Sequence, residues 1–137
     1  MKVVIDTNVF VSSFFGGKLK AVIDLWKTER MTFCLSKDIL DEYVEVFRRL
    51  GLDEGPELQE IVSFFARGFN LLFVRKTPVV SVVKEDPDDD KFIACGLALG
   101  AEFIVTGDKA LKAIKNYKGI HIVDPNQFLA IHGDRRR

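Results

Sequence analysis

Short apolar runs alternate with segments of helical periodicity along most of this chain. Residues 2–5, 32–35, 103–106 and 120–123 are short runs rich in Val, Ile, Leu and Phe. Between such runs, apolar residues recur every three or four positions, as in residues 39–50, which predicts amphipathic helices. Most of the predicted strands are not joined by a hairpin signal. The pattern therefore predicts an α/β fold in which helices cover a central parallel sheet.

Composition limits the classes of protein that this chain can belong to. Apolar residues make up 47% of its 137 residues, which is enough for one folded core. We expect residues 1–132 to form a single domain and the basic residues 133–137 to be a flexible tail. The formal net charge is zero, so any binding of a polyanion must depend on local basic patches.

The location of the protein and its use of cysteine are also constrained. A strand is predicted directly at the N-terminus, which leaves no room for a signal peptide, and no apolar run approaches transmembrane length. We therefore expect a cytoplasmic protein. Cys34 and Cys95 each lie in an apolar run and are interpreted as buried residues and not as a disulfide. With only two histidines, a zinc site of several histidines is excluded.

Residues 86–108 carry the densest group of candidate functional residues. A cluster of aspartates opens a predicted helix, Gly100 ends it, and a short strand follows that stops at Asp108. Helical spacing places Asp90 on one face with Ile93, Ala94 and Leu97. Ligands of open α/β sheets bind beyond the carboxyl ends of the strands, and we expect Asp90 and Asp108 to point there. Capping of the two helices by these aspartates is the alternative.

Two acids from distant parts of the chain are predicted to reach the same edge of the sheet. Asp6 directly follows the first strand, and Glu42 lies in the helix after the second strand, where a solvated acidic stripe is the alternative interpretation. Carboxylates held close together repel one another unless a cation neutralises them. Ligands that are all oxygen favour Mg²⁺ or Mn²⁺, and a metal held in this way supports phosphodiester hydrolysis. Nearby polar side chains that could support the site are Thr7, Asn8 and Thr106.

Four segments of the chain together resemble the PIN-domain ribonucleases. They are residues 3–9 (VVIDTNV), 36–42 (SKDILDE), 86–94 (DPDDDKFIA) and 104–108 (IVTGD). The resemblance implies a three-layer α/β/α sandwich on a parallel sheet. It also implies a metal-dependent endoribonuclease of the kind found as the toxin of prokaryotic toxin–antitoxin pairs, with an antitoxin protein as a possible partner.

The resemblance also implies roles for particular residues. The acids that match the family pattern, and that would hold Mg²⁺ or Mn²⁺ for RNA cleavage, are Asp6, Glu42, Asp90 and Asp108. The residue matching Thr106 or Asn8 would support them. Within the aspartate cluster, Asp86, Asp88, Asp89 and Asp90 compete for one ligand position. We choose Asp90 for its helix face and expect Asp86, which precedes Pro87, to be a turn residue.

Other functions and other partners remain open from the sequence. One alternative is a PIN-fold module that binds RNA or protein without cleavage. Another is an aspartate-based phosphatase. Asn8 argues against it, because such an enzyme needs a second aspartate at that position. A homodimer is a further expectation, because Trp26, Phe14, Phe15 and residues 57–69 offer apolar surface. Basic residues that are candidates for phosphate contact are Lys18, Lys20, Lys27, Arg30, Lys109, Lys112, Lys115 and Lys118.

Overall fold

The computed structural model describes residues 1–133 and contains one six-stranded sheet in the order β3-β2-β1-β4-β6-β5. All neighbouring strands are parallel except β5, which is antiparallel to β6. The α/β fold with a central parallel sheet is thus confirmed. The strands are β1 (Lys2–Ile5), β2 (Thr32–Ser36), β3 (Leu71–Val74), β4 (Phe103–Val105), β5 (Asn116–Tyr117) and β6 (Ile120–Val123).

Seven α-helices are found in residues 1–133, together with short 3-10 and π turns. The helices are α1 (Thr7–Ser12), α2 (Gly17–Lys27), α3 (Lys37–Arg49), α4 (Pro56–Ala66), α5 (Asp90–Leu99), α6 (Lys109–Lys112) and α7 (Pro125–Phe128). A 3-10 turn over Pro87–Asp89 leads into α5, and a π turn over Leu129–Gly133 follows α7. Of the predicted tail 133–137, only Gly133 belongs to the described residues. None of the helices in this part of the chain is long and apolar enough to cross a membrane.

One face of the sheet is covered by aromatic side chains. Phe33 of β2 is in register with Val3 of β1 and packs edge-on against Trp26 of α2. The ring of Phe10 on α1 stacks on Tyr43 of α3, with 4.1 Å between ring centroids. These contacts bring α1, α2 and α3 together over one face, where the rings bury the largest apolar surfaces of the core.

The opposite face of the sheet is covered by α5, which contacts β1, β2, β3 and β4. Cys34 alternates with Phe33 along β2 and therefore points to this second face. Burial raises the pKa of the Cys95 thiol on α5 to about 12, and the neighbouring Cys34 adds to the shift. The sheet thus lies between two helical layers, as the resemblance implied.

The structure departs from the sequence-based expectations in three details. Trp26 offers no surface for a partner, because it is fully buried and its indole N–H donates to the carbonyl of Phe69 at 3.1 Å. The apolar run over residues 79–83, whose valines favour a strand, forms no strand. The short strand β5, which pairs with β6 across a turn at Lys118 and Gly119, was not anticipated, since two residues carry too little periodicity to detect.

Candidate functional site

A cleft of about 310 Å³ lies at the carboxyl edge of the sheet. Loops and helix starts after β1 and β4 form one side of it, and α3 and the turn before α5 form the other. Its acidic lining residues are Asp6, Glu42, Glu45, Asp86, Asp88, Asp89 and Asp108, and its remaining lining residues are Thr7, Asn8, Val46, Arg49 and Phe92. Such a concentration of carboxylates beside one arginine makes the cleft strongly negative.

Asp6 is held rigidly at the base of the cleft. It caps α1, and its Oδ1 accepts a hydrogen bond from the backbone N–H of Val9 at 2.9 Å. Its Oδ2 accepts a hydrogen bond from the hydroxyl of Thr106. Burial raises the pKa of Asp6, the bonds from Thr106 and Val9 oppose the rise, and the charge of Asp108 adds to it. A nearby cation would favour the ionised form of Asp6 and so oppose this rise in its pKa.

Thr106 links Asp6 to Asp108. The Thr106 hydroxyl oxygen accepts a hydrogen bond from the backbone N–H of Asp108 at 2.9 Å while its O–H donates to Asp6. Asp108 caps α6, because its Oδ2 accepts from the N–H of Leu111 at 3.0 Å. Thr106 thus contacts both aspartates, and Asp108 both caps α6 and lines the cleft.

Asp86, Asp89 and Asp108 each bring a carboxylate oxygen within 4.8 Å of the other two. The Oδ2 of Asp89 is buried, and no hydrogen-bond donor of the described residues reaches it. The pKa of Asp89 is raised to about 8, chiefly by burial and in addition by the adjoining carboxylates of Asp108, Asp86 and Asp6. Without a cation, this group of acids therefore keeps a proton on Asp89 at neutral pH.

These acids fit a divalent cation. Buried polar atoms in proteins are almost always paired, so the unpaired Oδ2 of Asp89 indicates a missing partner. The group supplies only carboxylate oxygens, which are the ligands that Mg²⁺ and Mn²⁺ prefer. A hydrogen-bonded carboxylate oxygen keeps a second lone pair, so Asp6 and Asp108 retain the capacity to bind a metal.

The expectation that Asp90 faces this cleft is wrong. Its Oδ1 accepts hydrogen bonds from the backbone N–H groups of Val82 and Val83, at 3.0 and 2.8 Å, and Asp90 is not among the residues that line the cleft. Successive helical residues are rotated by about 100°. Asp89 and Phe92, three positions apart, share the cleft side of this segment, and Asp90 is turned toward the 79–83 segment.

Glu42 lies in the cleft as expected, but both of its carboxylate oxygens have partners. Thr7 donates its hydroxyl to Oε2, and the ammonium of Lys91 contacts Oε1. Lys91 also donates to Oδ1 of Asp88 at 3.2 Å. Asn8 is exposed and lines the cleft. The structure thus brings Asp6, Glu42 and Asp108 into one cleft and gives Thr7 a direct contact with Glu42.

Arg49 and Phe92 of the cleft, and Lys91 beside it, were not singled out from the sequence. Arg49 was detectable, because Glu42, Val46 and Arg49 are spaced by four and three residues and so share one face of α3. The spacing of Asp89 and Phe92 carried a similar signal. No local signal pointed to Lys91, since its partner Glu42 is 49 positions away in the chain.

A second cavity of about 530 Å³ adjoins the cleft. The two share Asn8 and Asp108, and the second is also lined by Ser12, Gly107 and Lys109. The two cavities thus lie side by side, with Arg49 lining one and Lys109 lining the other. A chain-like anion that passes through both would meet a cation on either side of the acids.

A family model described as "PIN domain" matches residues 2–110, a span that contains every acidic residue of the cleft. None of the curated proteins matches the chain.

Proposed function

Because this chain belongs to the PIN domain family, whose members are generally nucleases, we propose that it is a Mg²⁺- or Mn²⁺-dependent endoribonuclease. The observation that carries the proposal is the unpaired, buried Oδ2 of Asp89 beside the carboxylates of Asp86 and Asp108. A non-catalytic binding surface has no need to keep such an atom without a donor, since the desolvation cost of an unpaired polar group is about 1–3 kcal/mol.

The residues proposed to hold the cation are Asp6, Asp86, Asp89 and Asp108. This set replaces Asp90 by Asp89 and Asp86, because the carboxylate of Asp90 is turned to backbone N–H groups outside the cleft. When bound, the cation would offset the charge that builds up on the phosphate during hydrolysis and lower the pKa of a bound water.

The chain's own residues prepare this site in defined ways. Thr106 and the N–H of Val9 fix the orientation of Asp6, so its carboxylate does not need to reorganise during the reaction. Thr7 fixes Glu42 in the same manner. Hydrolysis joins a water oxygen to phosphorus and breaks the bond to the leaving ribose oxygen. The proton lost by the water is accepted by a cleft carboxylate, and the leaving oxygen gains a proton from solvent.

The shape and charge of the surface support a single-stranded RNA substrate. The cleft and the adjoining cavity lie side by side, so that an extended strand can pass through both, and the exposed Asn8 lines both of them. Arg49 and Lys109 are placed to bind phosphates on the two sides of the acids. Since the chain has no net charge, we propose that these local cations supply the electrostatic attraction to RNA.

Cleavage assays of the purified chain test this function. We expect cleavage of internal bonds in a single-stranded RNA with Mn²⁺ or Mg²⁺, and arrest by a chelator. Retention of RNA without cleavage would instead establish a binding module. Hydrolysis of small phosphomonoesters but not of RNA would instead establish a phosphatase.

We further propose that the activity serves as the toxin of a toxin–antitoxin pair, as the resemblance implies. Induced expression of the wild-type chain should then stop bacterial growth, and Asp6→Asn should not. Equal growth with both chains would count against this role while leaving the ribonuclease proposal intact.

A further inference from the structure

Lys91 is a cation that the fold places beside the acidic cleft, in contact with two of its lining carboxylates. Its side chain is only 17% exposed, and its ammonium reaches from α5 to Glu42 on α3 and to Asp88 before α5. Glu42 is similarly shielded, at 22% exposure of its side chain. A lysine ammonium is a compact point charge with three N–H donors. Lys91 therefore neutralises one side of the cleft without any bound metal.

The cleft is divided into two unlike halves. In one half, the carboxylate oxygens of Glu42 both have donors, Thr7 and Lys91. In the other half, carboxylate oxygens of Asp86, Asp89 and Asp108 lie within 4.8 Å of one another, and one oxygen of Asp89 has no donor among residues 1–133. Among the described residues, a buried carboxylate oxygen without a donor or a neighbouring cation is found only in this second half.

We propose that Lys91 is a built-in counter-cation that limits the site to one divalent cation, held by the aspartate half, and keeps Glu42 off the metal. This inference rests on the proposed metal-dependent function. A metal bound directly to Glu42 would have to displace the ammonium of Lys91 from Oε1 of Glu42. The metal and the displaced ammonium would then lie close together. Repulsion between the two cations, with little solvent to screen it, opposes that arrangement.

Lys91 has a second consequence for the site. By joining α5 to α3 it fixes the carboxylate of Glu42 at a set position in the cleft, so Lys91 acts as a positioning residue and not as a catalytic one. Glu42 then faces substrate or water as a group of fixed orientation, while the aspartate half holds the cation.

The test is Mn²⁺ binding to the purified full chain, measured by calorimetry after removal of metal with a chelator. We expect one Mn²⁺ per wild-type chain. Glu42→Gln should leave the Kd within about threefold of the wild-type value, and Asp89→Asn, the matched carboxylate-to-amide change, should weaken binding by about tenfold or more. Lys91→Met, which removes the charge but keeps the length, should admit a second Mn²⁺. Lys91→Arg should remain at one.

Several results would overturn the inference. They are two Mn²⁺ per wild-type chain, a loss of affinity in Glu42→Gln as large as in Asp89→Asn, or a Lys91→Met chain that binds one Mn²⁺ as the wild type does. If the melting curve of Lys91→Met shows that it does not fold, the number of Mn²⁺ bound by the wild type and the Kd of Glu42→Gln still test the inference. No binding of Mn²⁺ to the wild type would overturn the proposed metal-dependent function as well, whereas two equivalents would overturn this inference alone.

Discussion

The carboxylates of Asp89 and Asp90 are adjacent in sequence but serve different parts of the molecule. Asp89 lines the acidic cleft with a buried, unpaired Oδ2, while Asp90 binds the backbone N–H groups of Val82 and Val83. One position along the chain thus separates a candidate metal ligand from a residue that anchors a loop.

Amide substitutions at these two positions should therefore have different effects, one on the rate of RNA cleavage and the other on stability. Asp89→Asn should lower the rate of RNA cleavage by roughly 100-fold or more, because it removes a ligand charge from the reacting centre. Asp90→Asn should keep the rate within a few-fold and lose about 1 kcal/mol of unfolding free energy, since the amide oxygen accepts the same bonds more weakly. Cleavage rates and melting curves of both variants test this, and the reverse order of activities would contradict the assignment.

The pH dependence of stability should report the proton on Asp89. In the metal-free protein its pKa is about 8, against 3.8 for the ordinary carboxyl group. Between these values the folded chain binds one proton more than the unfolded chain, so the free energy of unfolding falls as pH rises from about 4 to about 8. Asp89→Asn should flatten this fall. Denaturant unfolding in chelator across that window measures it, and identical slopes for both chains would contradict the raised pKa.

Mn²⁺ should stabilise the wild type by binding only the folded cleft. At ten times its Kd the gain is about 1.4 kcal/mol. Asp108→Asn should fold normally without metal, because asparagine caps α6 as well as aspartate does, but should lose most of the gain. Melting curves with chelator and with Mn²⁺ separate these effects. An equal response of both chains would exclude Asp108 as a ligand.

Sequence periodicity was sufficient for the sheet and for part of the site. Asp6 and Asp108 could be placed because each directly follows a strand, and every parallel strand ends at the same edge. The choice between Asp89 and Asp90 could not be made, since a 3-10 turn over Pro87–Asp89 precedes the helix and shifts the helical phase. The bond of Lys91 to Glu42 depends on how α5 packs against α3, which local patterns do not encode.

Phosphate contacts on the two sides of the acids should control RNA affinity. Arg49→Gln and Lys109→Gln should each raise the KM for a long single-stranded RNA about fivefold with little change in kcat, and lower the slope of log affinity against log salt by about 0.7. Lys20→Gln is the matched control, because Lys20, like Arg49, forms an ion pair one helical turn away but is not a cleft residue. An equal effect of the control would mean that the RNA does not follow the proposed path.

The most direct test of the proposed metal site is the anomalous scattering of Mn²⁺ in crystals of the wild-type chain. We expect a peak in the cleft, coordinated by Asp89 and Asp108, that is lost in Asp89→Asn and retained in Asp90→Asn. A cleft without a peak at saturating Mn²⁺, or a peak coordinated by Asp90, would contradict it.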